Sequence, residues 1–286
     1  MMINDEVRVA LVQMNSQSDK AQNIARAEEL IDQAAERGAQ VVALPEYFSY
    51  LGPKEQHEEN AEDIPGPTTQ RLADKAREHQ IYLLGGSVLE RSSTVGRYYN
   101  TSVLFDPHGD VLTTYRKIHL FDIDLTGAVS ANESATILPG DQAVTAMIGG
   151  HRAGLTICYD LRFPELYRVL ALEGAEIIFT PAAFTMFTGK DHWHPLLRAR
   201  AIENQCYVVA PAQIGPHEPN AQCYGHSLVV DPWGTVIAES PNQEGVIVAD
   251  LNFKALREIR VQLPSLANRR LANPQLQSLD AAMSRR

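Results

Sequence analysis

Apolar residues along the chain follow two alternating rhythms. Short runs rich in β-branched residues, VRVALVQM at 7–14 and QVVALPE at 40–46, read as buried strands. Between them Ile24, Ala27, Leu30, Ile31 and Ala34 recur at i, i+3, i+4 and i+7 spacing, so 23–37 is predicted as an amphipathic helix that Gly38 stops. Pro67, at a position where a helix start tolerates proline, opens a helix to about 79. IYLLGGSVLE (81–90) then reads as a third strand, and 98–106 with 111–118 as a hairpin turning at Pro107 and Gly109. Residues 121–142 read as loop.

The second half repeats the order. Strands are predicted at 144–148 and 152–158, then a helix at 164–173, the strand EIIFTPAAF (176–184), a helix at 190–205 and the strand CYVVAPAQ (206–213). A hairpin at 224–240 with Gly234 in its turn, a strand at 244–251 and a short helix near 253–262 complete it. The succession β-α-β-α-β-β-β, twice, implies an α/β fold of two related halves whose sheets are covered by helices. No stretch resembles a linker, so 7–270 is expected to be a single domain, with 271–286 a C-terminal tail packed on the surface or on a partner subunit.

Composition narrows the function classes. With 25 Lys+Arg against 35 Asp+Glu, the net charge of −10 argues against a nucleic-acid or anionic-membrane surface. No apolar run approaches the ~20 residues of a spanning helix, and charges interrupt the N-terminus where a signal peptide is apolar. The three cysteines, Cys158, Cys206 and Cys223, are too few for a disulfide scaffold. A cytoplasmic protein is expected, with the asparagine sequons at Asn100 and Asn132 idle.

Dinucleotide, P-loop, zincin and serine-elbow motifs are all absent. His192 and His194 are two apart on a predicted helix and face different ways, which disfavours a metal pair. Cys158 stands out in AGLTICYDLRFPELYR, where an apolar strand runs into the thiol and Pro164 then starts a helix. Such a turn offers N–H groups to a thiolate; a small buried hydrophobe is the other reading. Cys206 and Cys223, inside apolar strands, read as core. Glu46 and Lys117 end two further strands and could converge with Cys158 outside the carboxyl ends of a sheet, or each could be a solvated charge. A nucleophilic cysteine needs such a base and such a cation.

Together these residues resemble the nitrilase superfamily of carbon–nitrogen hydrolases, through LPEYFSYLG around Glu46, YRKIHLFDID around Lys117 and ICYDLRFPELYR around Cys158. The resemblance implies a four-layer α-β-β-α sandwich, a Glu–Lys–Cys catalytic set, and no metal or cofactor. HWHPLLRARAIENQCYVVAPAQIG and YGHSLVVDPWGTV are similar to the branch of amidases that repair deaminated glutathione, close relatives of the ω-amidases. Nitrile-hydrolysing members carry Trp-Glu after the cysteine; Tyr159-Asp160 here favours an amide.

The resemblance further implies Glu133, in SANESATILPG, as a second catalytic glutamate, and the backbone N–H of Tyr159 as an oxyanion donor. It implies Arg162, Phe184 and Thr188 as substrate-binding residues. Arg162 could grip a carboxylate or pair with Glu165 or Asp160; Phe184 could equally be core, and Trp193, Tyr47 and Phe48 could line the pocket or fill the core. The substrate implied is a 2-oxo acid with a distal amide, deaminated glutathione first and 2-oxoglutaramate second. A homodimer or higher oligomer, built on helices at 164–175 and 190–205, is also implied. Two other readings compete: a Cys–His hydrolase using His119, His192 or His226, and a catalytically silent interaction protein.

Overall fold

The computed structural model describes residues 5–125, 129–217 and 221–270; the tail at 271–286 lies outside the described residues. The first half runs β1 (Glu6–Gln13), α1 (Lys20–Glu36), β2 (Val41–Ala43), α2 (His57–Asn60), α3 (Pro67–His79), β3 (Tyr82–Leu84), β4 (Val88–Arg91), β5 (Tyr98–Phe105) and β6 (Val111–Arg116). A small hairpin, β7 (Asp122–Leu125) and β8 (Val129–Asn132), occupies the stretch read as loop. The second half runs β9 (Val144–Ile148), β10 (His151–Leu155), α4 (Pro164–Leu172), β11 (Ile177–Phe179), α5 (Met186–Asn204) and β12 (Tyr207–Ala210). It continues with the hairpin β13 (Ile214–His217) and β14 (Ala221–Tyr224), then β15 (Leu228–Val230), β16 (Val236–Glu239), β17 (Gly245–Asn252) and α6 (Phe253–Gln262).

Two sheets result, each built on a parallel triplet. In one, β1, β2 and β3 are parallel, β17 flanks β1 antiparallel, and β4, β5 and β6 extend the other side. In the other, β10, β11 and β12 are parallel, β9 flanks β10 antiparallel, and β15 and β16 extend the far side. The two halves therefore match in pairing sense, with the C-terminal β17 filling the place that β9 holds in the second sheet.

Period-two alternation sorts each strand between two cores. Val9, Leu11, Val41 and Ala43 face the other sheet, packing with Leu155, Ile177, Phe179 and Val209. Ala10, Val12 and Val42 face the opposite way, onto Ile24, Leu30, Ile31 and Leu72 of α1 and α3. Trp193, Leu197 and Ala201 of α5 cover the outer face of the second sheet. This is the four-layer α-β-β-α sandwich. No helix among the described residues is long and apolar enough to cross a membrane.

Two differences from the sequence reading bear on the site. The strand expected at 81–90 is broken at Gly85-Gly86, where Gly86 takes φ +51 and a Cβ would lie 2.0 Å from the Pro45 carbonyl oxygen. That close approach, available only without a side chain, backs the loop carrying Glu46. The helix expected from 190 begins at Met186, so Thr188 sits inside its first turn and Pro195 in its interior.

Candidate active site

Each reactive side chain lies just past the end of a strand. Leu44 and Pro45 carry the chain from β2 to Glu46, Lys117 follows β6 directly, and Thr156 and Ile157 lead from β10 to Cys158. Glu133 opens a short 3-10 turn after β8. All four line one cavity of about 640 Å³, with Tyr47, Tyr50, Lys54, His57 and Phe121 among its other walls. Glu46 and Lys117 are each only 2% exposed, so the floor is dry.

The floor is a closed charge network. Lys117 Nζ donates to Glu46 Oε1 at 2.9 Å and to Glu133 Oε2 and Oε1 at 2.9 and 3.1 Å. Burial alone would push the Lys117 ammonium down, but the carboxylates of Glu133 and Glu46 overcome it and hold it well above the ordinary lysine value. Glu46 is steadied from both sheets: Asn100 Nδ2 reaches Oε1 at 2.9 Å, and the Ala183 N–H, beyond β11, reaches Oε2 at 2.7 Å. Glu133 also accepts from Tyr47 Oη at 3.0 Å and from the Phe121 N–H at 2.6 Å.

Cys158 sits at φ +46 and Tyr47, beside Glu46, at φ +54. Left-handed backbone is costly for side-chain-bearing residues and concentrates at working sites. Asp160 holds the cysteine's turn. Fully buried, it accepts from the Ile157 N–H at 2.8 Å, Tyr115 Oη at 2.7 Å, and the His119 N–H and Nδ1 at 3.0 and 2.7 Å. Tyr115, on β6, lies two residues before Lys117, so Asp160 ties the Cys158 turn to the strand that leads to the lysine. Burial, then Glu46, pushes the Cys158 thiol well above the ordinary cysteine range, with Lys117 opposing. The raised value favours the protonated thiol at rest.

The residues expected on the substrate side are placed differently. Tyr159 and Arg162 share the short turn of Cys158, and none of Tyr159, Arg162, Phe184 and Thr188 lines the cavity. The Arg162 guanidinium lies 5.1 Å from the Phe184 ring centroid and 5.8 Å from that of Tyr159, and its Nη1 meets His192 Nδ1 at 3.2 Å. It pairs with neither Glu165 nor Asp160. Phe184 is buried against Trp193, and Thr188 Oγ1 bonds Thr185 Oγ1 at 2.8 Å. Phe48 and Trp193 are core, whereas Tyr47 lines the cavity.

His119, His192 and His226 are engaged with Asp160, Arg162 and Glu239, and none lines the cavity, which removes the Cys–His reading. His192 and His194 do diverge, but His194 meets His226 and Glu239, with ligand atoms all within 4.8 Å of one another, a set able to take a metal ion. Asp32, Glu78 and His79 are similarly close, with the Lys75 ammonium already bonded to Asp32 and Glu78.

Sequence reasoning missed Asn100 and Asp160. Asn100 was read only as a sequon; it is fully buried against both glutamates. Its place opposite Leu89 in the β4–β5 pairing gives no local signal of that role.

Residues 8–261 match the carbon–nitrogen hydrolase family. The chain is 43% identical over 263 residues to a deaminated glutathione amidase of Synechocystis, spanning 91% of this chain and 97% of that protein. It is 42% identical over 263 residues to human omega-amidase NIT2, spanning 92% and 95%. Among solved structures, Saccharomyces cerevisiae Nit3, described as a member of branch 10 of the nitrilase superfamily, superposes with a TM-score of 0.85 at 33% identity, covering 95% of this chain and 99% of that one. An amidase from Nesterenkonia sp. AN1, with the acetamide moiety of fluoroacetamide covalently added at its active-site cysteine, gives 0.78 at 28% identity, covering 92% and 94%. With these matches, three spaced motifs and one buried cluster agreeing, the chain belongs to the carbon–nitrogen hydrolase family.

Proposed function

We propose that the protein is an amidase that hydrolyses the distal amide of a 2-oxo acid, deaminated glutathione before 2-oxoglutaramate, through a thioester on Cys158. The observation that carries this reading is the dry Glu46–Lys117–Glu133–Cys158 cluster at the floor of the cavity. A neutral thiol is a poor nucleophile toward an amide, so Glu46, which shares the cavity floor with it, takes the proton as the sulfur adds to the carbonyl carbon. Lys117 Nζ stabilises the tetrahedral oxyanion, one such donor being worth ~3–4 kcal/mol. The Tyr159 N–H, which has no backbone partner among the described residues, is the second donor.

Protonated Glu46 then gives its proton to the departing nitrogen, releasing ammonia from a primary amide or an amine from a substituted one. The same carboxylate activates the water that hydrolyses the thioester. Glu133 holds Lys117 in place throughout. No step calls for a metal or cofactor. The cavity, about 640 Å³, lies within the range of about 300–1,000 Å³ that takes small ligands and leaves room for a dipeptide leaving group. Its relatives' names favour deaminated glutathione and ω-amides over nitriles.

Residues 7–270 are proposed to act as one unit, pairing with a second copy through α4 and α5. Exposed Phe187 and Ile202 on α5 support that surface. The test of the activity is kcat/KM on deaminated glutathione, 2-oxoglutaramate and a simple nitrile, with Cys158→Ala alongside. The amides are expected to exceed the nitrile by orders of magnitude, and the variant to lose all turnover while unfolding normally. Retained activity in Cys158→Ala would overturn the nucleophile.

A further inference from the structure

We propose that Lys54, with His57 beside it, is the residue that binds a carboxylate of the substrate, an assignment that rests on the amidase reading above. The floor of the cavity holds two carboxylates, Glu46 and Glu133, against the single ammonium of Lys117. A substrate anion is repelled from that floor and must be balanced elsewhere. Among the described residues lining the cavity, only Lys54 and Lys117 carry ammonium groups, and Lys117 lies at the floor, paired with the two glutamates. Arg162, the cation the sequence offered for this task, lies outside the lining, over the Phe184 ring.

Lys54 is free in the sense that matters. Its Nζ donates to the Asn132 carbonyl and makes no ion pair among the described residues. An ammonium has three donors, so two remain for a ligand. Of the acids around it, Glu133 is committed to Lys117 and Asp122 accepts the Ser134 N–H at 2.9 Å, while exposed Glu55, on the same turn, also lines the cavity.

His57 supplies a second, independent sign of a ligand. It lines the cavity, is nine-tenths buried, and its enclosed Nδ1 has no hydrogen-bond partner among the described residues. The ring is fixed edge-on between Tyr50 and Tyr98, at 6.2 and 5.7 Å. The ring adds a polar edge to an otherwise aromatic wall of the cavity beside Lys54. Lys54 and a neutral imidazole together present a charge and a hydrogen bond to one carboxylate.

Lys54→Gln removes the charge and keeps a donor for the Asn132 carbonyl. The experiment is calorimetric binding of intact deaminated glutathione and of 2-oxoglutaramate to Cys158→Ala protein, with and without Lys54→Gln and Lys54→Arg. The Gln variant is expected to raise the Kd about 10- to 100-fold, the loss of a charge-assisted hydrogen bond, and Arg to stay within about threefold of Lys. Weakening of both amides assigns Lys54 to the 2-oxo acid carboxylate they share. Weakening of deaminated glutathione alone assigns it to the carboxylate of the leaving dipeptide. Kd values within threefold of the parent for both amides overturn the proposal. Turnover by the intact enzyme is a separate readout: lysine-dependent binding without hydrolysis refutes the amidase reading and leaves Lys54 standing.

Discussion

Glu133→Gln preserves the shape of the side chain while removing one charge and one acceptor. Oε1 of Glu133 faces Tyr47 Oη, Asn100 Nδ2 and Lys117 Nζ at 3.0, 3.3 and 3.1 Å; Oε2 faces Lys117 Nζ and the Phe121 N–H at 2.9 and 2.6 Å. Either orientation of an amide therefore points its NH₂ at Lys117 and at one more N–H, and each buried donor left unpaired costs about 1–3 kcal/mol. The charge is the larger loss. At 2.9 Å and an effective dielectric near 20, Coulomb's law gives about 5–6 kcal/mol before relaxation.

Lys117 is held above its ordinary value in the fold, so its contribution to stability is full below the unfolded lysine value and disappears only as pH rises through the folded one. Glu133→Gln removes much of that contribution at pH 7. The expected outcome is about 2–4 kcal/mol less unfolding free energy in urea. The kcat for ammonia release should fall about 10²–10³-fold, as Nζ loses its fixed aim at the oxyanion. A variant within fivefold of the wild-type kcat, with an unchanged urea midpoint, would refute the network as described.

Two further tests follow. Asp160→Asn leaves at least one of its four donors unpaired, so the Cys158 turn should lose about 1–3 kcal/mol and kcat should fall with it; full activity at wild-type stability would deny Asp160 its positioning role. For His57, burial, helped by Lys54, lowers the ring from 6.5 to about 4. The unfolded chain is protonated near 6.5 but the fold is not until about 4, so stability is full above 6.5 and declines by at most about 3 kcal/mol as pH falls to 4. His57→Phe should flatten that decline in Tm; an unchanged slope would trace it to other groups.

Where a sequence signal is local, the structure agrees with it. Ile24, Leu30 and Ile31 read as the buried face of a helix, and they are. Glu46, Lys117 and Cys158 were visible because each ends an apolar run, and each lies beyond a strand in the same cavity. What could not be read was set by tertiary approach. Gly86 looks like any strand glycine until Pro45 is brought against it. Asn100 and Asp160 act across sequence separations that no periodicity spans. Arg162 lies four residues beyond Cys158 in sequence, yet its guanidinium lies over the Phe184 ring, outside the cavity lining.

Strand β17 has a consequence for how the chain is made. It lies along all of β1, Glu6 opposite Asn252 and Gln13 opposite Gly245, and the Phe253 N–H closes on the Asp5 carbonyl at 2.8 Å. During synthesis, the first sheet therefore leaves the ribosome with one edge of its earliest strand uncovered, and only nearly the last described element can seal it. Contacts of such long loop closure form late. Glu46 likewise takes one of its hydrogen bonds, from the Ala183 N–H beyond β11, only from the second half of the chain, so a chain truncated before β11 would carry both a sticky edge and a glutamate missing that bond.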